Sequence, residues 1–377
     1  MDDALTARLQ KILDEHVTDD VARIGLDRST SAAHVLVVRD GHIAADLSAG
    51  HAALVPAHRP LQASPIFDLA SVTKPLVGAT LAWLAVDRGL LDLDAPLEAL
   101  IPGWDRAPDH LPGATLAHLL NHTSGLAAWR KFYEEWPIEP PVSDLPAQRA
   151  AILDAALLHP RAYAPGHAHA YSDLGFMLLG DLLSRTFNAP LDLLARQHIF
   201  DPLHMTSARY VSRINKDLPI QEAVATEYCT HRGRIVVGEV HDENTMCMGG
   251  VSAHAGVFST ARDLATFGQH LLEIDQGAGG VSRGIVSQEI LRWAWSEDAG
   301  SPHGSHRGGW DTPSGARSSA GSVLSHPHTV GHLGFTGTSL WIDRQSATVV
   351  VLLSNRVHPS RDNPRAHALR VAIHDAL

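Results

Sequence analysis

Lysine is scarce in this chain. Only Lys11, Lys74, Lys131 and Lys216 occur among its 377 residues, and every other permanently basic side chain is an arginine. Cysteine is rarer still. Cys229 and Cys247 are too few for a disulfide framework, and their spacing matches no zinc motif. No apolar run approaches the roughly 18 to 20 residues that a bilayer span requires. Asp2 and Asp3 stand where a secretory leader carries basic residues, so the expected location is the cytoplasm. Basic stripes are also missing. With a formal net charge of -11 and scattered arginines, a nucleic-acid partner is not expected. The 25 histidines invite a metal reading, but pairs such as His167 and His169, or His326 and His328, fall in loops and no HExxH set occurs. Neither metal nor cofactor is expected, and the oligomeric state has no signature.

Against these absences the stretch from Phe67 to Pro75 stands out. Ser71 and Lys74 lie three apart, which on a helix puts a hydroxyl and an amine on one face. An amine that must exchange a proton has to be lysine, because guanidinium keeps its proton. Pro75 is tolerated only in a helix's first turn, so the apolar helix through Leu76, Leu81 and Leu84 to near Gly89 begins close to Ser71. Ser71 then sits at the positive end of the helix dipole, and burial is expected to lower the Lys74 pKa toward that of a useful base. The plainer alternative is a capping serine followed by a surface lysine.

Two further elements follow. Tyr171, at a loop-to-helix junction before Ser172 and Asp173, presents a phenol suited to acid or base work if an ammonium lowers its pKa; the alternative is a ring packed for its own sake. His332, Leu333 and Gly334 lead through Phe335 into a strong strand. Glycine there permits close backbone approach, and an N–H from this segment could complete an oxyanion hole with that of Ser71; the alternative is a bulge at a strand edge.

Periodicity supplies the frame. Leu5, Leu9, Ile12, Leu13 and Val17 mark an amphipathic helix, and residues 34–38 and 43–47 flank Asp40-Gly41 as a hairpin. Helical runs near 71–89, 115–121, 147–158, 172–187 and 190–198 come next, interrupted by an irregular excursion over 129–146. Later come a short strand candidate at 234–237, helices at 261–274 and 286–295, strands at 338–342 and 347–353, and a helix at 364–376. The expected fold class is α+β: an antiparallel sheet flanked by helices, built from residues 1–75 and 231–377, with an all-helical domain over 76–230 inserted and the site between them.

Taken in order, these elements resemble the serine β-lactamase and penicillin-binding-protein superfamily, in its class C-like branch of esterases, D-aminopeptidases and amidases. Ser71 to Lys74 is similar to that family's SxxK, Tyr171-Ser172-Asp173 to its YxN, and His332-Leu333-Gly334 to its KTG triad in the HxG form. Leu119 to Leu126 resembles the branch's LLxHTSGL signature. The resemblance implies a β-lactamase/transpeptidase-like fold and a serine hydrolase that forms an acyl-enzyme. Ser71 would attack, Lys74 and Tyr171 would share the proton, and the N–H groups of Ser71 and Phe335 would hold the oxyanion.

Two departures redirect the chemistry. Asp173 replaces an asparagine that donates to the substrate's carbonyl, which an ionised carboxylate cannot do, so it is expected to hold Lys74 or a cationic substrate group. His332 replaces a permanently charged lysine, which favours ester or amide hydrolysis over β-lactam turnover. Residues 240–244 and 249–259 are similar to segments of a subgroup that includes muramyl-peptide amidases of cell-wall recycling. In that reading His241, Asp242 and His254 line the cleft and Arg317 binds a substrate carboxylate; the alternatives are loop residues satisfying one another and a structural ion pair. The partner is then a small-molecule or peptide-like substrate. Alternatives are a carboxylesterase or D-amino-acid amidase of the same fold, or a catalytically idle sensor of cell-wall fragments.

Overall fold

The computed structural model describes residues 1–277, 285–300, 303–314, 318–324 and 327–377. Arg317 and His326 lie outside the described residues. Three strands come early, β1 Ala32–Arg39, β2 His42–Ala53 and β3 Arg59–Pro60. Five short ones follow: β4 Phe67–Asp68, β5 Arg209–Tyr210, β6 Tyr228–Cys229, β7 Arg234–Ile235 and β8 Val257–Ser259. The last three are β9 Thr329–Leu333, β10 Ser339–Asp343 and β11 Thr348–Ser354. The main sheet has the order β3-β2-β1-β11-β10-β9, and every neighbouring pair is antiparallel. The first and last parts of the chain therefore meet at its centre, where Val35 stands opposite Leu352 and Val37 opposite Val350.

Strand alternation, with both faces covered, explains why β11 is apolar from Val349 to Leu353. Val350 and Leu352 pack with Val35, Val37 and the Leu5, Leu9 and Leu13 stripe of the helix Asp3–His16, together with Leu369 and Ile373 of the helix Ala366–Asp375. Val349, Val351 and Leu353 face the other way, into the large core that holds Leu264, Phe267 and Leu271 of the helix Ala261–Gln276. A strand covered on both faces reads as a continuous apolar run, and each large side chain so buried contributes about 1.5–3 kcal/mol. The α+β expectation holds. Strand β9 was not anticipated, because Gly331 weakens the strand signal; a Cβ at that position would lie 2.2 Å from Cε3 of Trp341, whose ring covers it. The candidate at 234–237 is shorter than expected and, among the described residues, pairs only with β6.

Helices fill the middle of the chain, among them Thr80–Asp87, Leu116–Leu120, Leu145–Leu157 and Asp173–Thr186. The helix after Ser71 is not a plain α-helix. A tight turn, Ala70–Val72, passes into wide π-helical turns over Lys74–Ala79 and only then into Thr80–Asp87. Such wide turns are common where a helix carries a functional side chain. Gly78 is needed at the crossing, since a Cβ there would meet the Phe176 ring at 2.9 Å. The helix therefore presses closely against Asp173–Thr186, and that approach sets Lys74 beside Asp173.

Candidate active site

Lys74 is fully buried, and its ammonium meets three acceptors. Nζ lies 3.0 Å from Ser71 Oγ, 2.7 Å from Asp173 Oδ1 and 3.1 Å from the His254 carbonyl oxygen. An ammonium has three protons to give and no lone pair, so in this arrangement Lys74 donates to the serine and cannot accept from it. Burial is the strongest single influence on Lys74 and disfavours its charge, but the Asp173 carboxylate and then Tyr171 outweigh it, and the pKa is raised. The expected lowering is corrected here. Desolvation does act on the amine, but a carboxylate at contact distance reverses its effect.

The ammonium also sits over the ring of Tyr171, 4.7 Å from its centroid. The Tyr171 hydroxyl is buried and has no partner at hydrogen-bonding geometry among the described residues, although Lys74 and Ser71 stand close enough to ease its ionisation. Burial prevails over that help and raises the phenol's pKa, again opposite to the expected direction. The resting pocket holds an ammonium and a neutral phenol. Any proton leaving this closely coupled pair belongs to both groups.

His332 is buried, and burial, followed by the charges of His306 and Lys74, holds its pKa well below the ordinary imidazole value. Nδ1 is 2.8 Å from the Leu333 carbonyl oxygen, so in the neutral ring Nδ1 carries the proton and Nε2 is a bare acceptor. The turn after it is joined to the serine turn. Thr336 Oγ1 donates to the Asp68 carbonyl at 2.7 Å and Thr338 Oγ1 to the Leu69 carbonyl at 2.9 Å. A Cβ on Gly334 would lie 1.9 Å from Thr338 Oγ1 and 2.4 Å from Leu69 O, so only glycine fits there. No hydrogen bond is found among the described residues for the N–H of Ser71 or of Phe335.

The beta-lactamase family model matches residues 9–374. The chain belongs to the beta-lactamase family. A Salmonella typhimurium protein provisionally named D-alanyl-D-alanine carboxypeptidase is 27% identical over 376 residues, covering 93% of this chain and 85% of the relative. Among solved structures, the octameric penicillin-binding protein homologue of Pyrococcus abyssi aligns with a TM-score of 0.69 at 20% identity, over 96% of this chain and 75% of the other. EstCE1, described as a hydrolase with promiscuous acyltransferase activity, aligns with a TM-score of 0.66 at 20% identity over 99% of both chains. At these identities the structures show a shared fold. The protein is a serine hydrolase of the β-lactamase family, and among its described residues no helix is long and apolar enough to cross a membrane.

Other singled-out residues of this beta-lactamase family member are occupied with one another. His241 donates its backbone N–H to Asp68 Oδ2 at 2.6 Å, and its ring meets Glu227 at 2.9 Å. Asp242 caps the helix Glu243–Cys247 and lies 2.9 Å from His254 Nε2; burial works against its charge, but the electrostatic attraction of His254 and then the hydrogen bonds from His254 and Thr245 hold its carboxyl far below the usual range. The His254 ring also meets Ser252 at 2.7 Å and is fully buried, so the part of His254 that reaches Lys74 is its carbonyl. Asn244 clamps the irregular excursion by accepting from the Phe132 N–H and donating to the Arg130 carbonyl.

Sequence reasoning missed a cluster of imidazoles behind Tyr171. His122 lies 4.6 Å from the Tyr171 ring and 4.7 Å from His306, and His306 Nδ1 is 3.1 Å from His169 Nε2. His122 Nδ1 accepts the Ser172 N–H at 3.0 Å, which fixes the start of the helix bearing Asp173. Burial holds His306 at about 4 and His122 well below its ordinary value, so these rings are neutral near pH 7. The signature around His122 was a signal for that residue. His306 lies in a Gly/Ser/His-rich stretch without periodicity and gave none. Among the described residues no three His, Cys, Asp or Glu side chains are arranged to hold a metal ion.

Proposed function

We propose that this chain hydrolyses an ester or amide through an acyl-enzyme on Ser71, in a cleft between the sheet formed by 1–75 and 231–377 and the helical insertion 76–230. The observation carrying the reading is the buried Lys74, hydrogen-bonded at once to Ser71 Oγ and Asp173. Loss of one proton from the Lys74–Tyr171 pair creates the base, which takes the Ser71 proton as Oγ adds to the carbonyl carbon. The N–H groups of Ser71 and Phe335 receive the oxyanion; in comparable sites one such donor is worth about 3–4 kcal/mol. The proton then passes to the leaving amine or alcohol; in deacylation the pair takes a proton from the water that adds to the acyl carbon and returns it to Ser71 Oγ as the carbon–Oγ bond breaks.

The substrate class follows from charge. Position 332 offers a neutral imidazole, and the nearby ammonium is already matched by Asp173, so a substrate carboxylate gains no cation at His332. This favours an uncharged scissile neighbourhood, as in the lactyl–L-alanine amide of a muramyl peptide. The carboxypeptidase name of the relative supports a second reading, cleavage of a terminal D-alanine. A panel of a p-nitrophenyl ester, muramyl dipeptide, a D-alanyl-D-alanine peptide, a D-amino-acid amide and nitrocefin separates them. Turnover of the ester and of muramyl dipeptide is expected; turnover of the D-alanyl-D-alanine peptide alone would overturn the preferred substrate.

A further inference from the structure

The segment that supplies the Phe335 N–H and the turn that supplies the Ser71 N–H come from chain regions more than two hundred and fifty residues apart, and what joins them is compact. Phe335 itself is 45% exposed, while its neighbour Thr336 and the nearby Thr338 are almost completely buried. Their hydroxyls reach across to consecutive carbonyls, those of Asp68 and Leu69. Gly334 N–H bonds back to the Thr338 carbonyl at 2.8 Å and Gly337 N–H to the Gly334 carbonyl at 3.1 Å, which closes the turn on itself. On the serine side, Ala70 has φ +47, a left-handed conformation that L-residues with a Cβ avoid. Asp68 holds it there. Its Oδ1 accepts the Ala70 N–H at 2.8 Å while Oδ2 accepts the His241 N–H at 2.6 Å. One residue therefore fixes the strained step before the nucleophile with its side chain and receives the oxyanion segment with its carbonyl.

We propose that Asp68, Thr336 and Thr338 are positioning residues that register the Phe335 N–H against the Ser71 N–H, so that the oxyanion hole exists only while these bonds hold. The proposal rests on the reading of those two N–H groups as the oxyanion hole. Neither threonine touches the reacting atoms; both act by holding backbone. A shift of a donor by a fraction of an ångström weakens a short hydrogen bond to a developing charge much more than it weakens ground-state binding.

The test compares an activated ester with its thionoester, in which sulfur, larger and a weaker acceptor, replaces the carbonyl oxygen. The ratio of the two kcat/KM values reports the oxyanion hole and does not depend on the fraction of folded enzyme. In the wild type the ester should be favoured by about 100-fold or more, the scale set by loss of one donor. Thr336→Val, Thr338→Val and Asp68→Asn should each compress that ratio about tenfold, mainly through kcat of the ester. Thr336→Ser and Thr338→Ser, which keep the hydroxyl, should restore it. A large wild-type ratio unchanged in the three variants would overturn the positioning role and leave the oxyanion reading standing. A wild-type ratio near unity in an active enzyme would overturn the oxyanion reading and, with it, this proposal. A variant that fails to fold leaves the other two to decide.

Discussion

Asp173→Asn keeps the shape of the side chain and removes the charge that matches Lys74. The pair is 2.7 Å apart, with Lys74 fully buried and the Asp173 side chain 19% exposed. Removing one member of a buried ion pair costs about 3–5 kcal/mol, and the partial exposure of Asp173 places this case near 3 kcal/mol. At about 2.1 cal/mol/K per residue, a chain of 377 residues has an unfolding entropy of about 0.8 kcal/mol/K, so Tm should fall by about 4 °C at neutral pH. The pH dependence distinguishes this from a packing defect. In the wild type the folded Lys74 pKa is above its ordinary value, so the stability it contributes is complete below that value and lost as pH climbs through the raised one. In the variant burial is no longer outweighed, the folded pKa falls below the ordinary one, and the difference from wild type should shrink as pH rises toward and beyond about 10. Scanning calorimetry from pH 6 to 10.5, with the pH profile of p-nitrophenyl ester hydrolysis alongside, makes the measurement. The alkaline rise in kcat/KM should move to lower pH in the variant. A Tm deficit constant over this range, with an unmoved rate profile, would refute the reasoning.

The remaining predictions concern neighbouring residues. Tyr171→Phe should lower kcat on the ester by about 10²–10⁴-fold with an unchanged circular dichroism spectrum, the range of a lost acid–base group; near-wild-type kcat would remove Tyr171 from the mechanism. Gly334→Ala should cost at least about 10²-fold in kcat/KM, because its Cβ would fall 1.9 Å from Thr338 Oγ1 and force the turn off Leu69. His306, held at about 4 by burial against an ordinary 6.5, contributes stability that is complete above 6.5 and lost as pH falls toward 4. In urea titrations His306→Gln should therefore lose about 3 kcal/mol less than wild type between those pH values, and equal losses would show that the ring is not buried neutral.

Much of the fold was legible because local and global signals agreed. The Leu5, Leu9 and Leu13 stripe, the Asp40-Gly41 hairpin and the run from Val349 to Leu353 each announce one element, and the tertiary structure uses each as announced. Strand β9 escaped because Gly331 serves the Trp341 ring, a contact invisible to propensity. At the site, the spacing of Ser71 and Lys74 was readable, but the sign of the Lys74 shift was not. It depends on Asp173, ninety-nine positions away, arriving at 2.7 Å through a helix crossing that Gly78 permits. The imidazoles behind Tyr171 were hidden for a similar reason. His122, His169 and His306 are far apart in sequence, and outside the signature that holds His122 each of the others alone looks like a solvated loop residue.

The central claim is that Ser71 is the nucleophile. Treating the purified protein with a fluorophosphonate and measuring its intact mass, then mapping the adduct by peptide fragmentation, tests it most directly. One stoichiometric adduct on Ser71, absent from Ser71→Ala of unchanged Tm, is the predicted result; a folded wild-type protein that hydrolyses an activated ester yet takes up no label at Ser71 would contradict it.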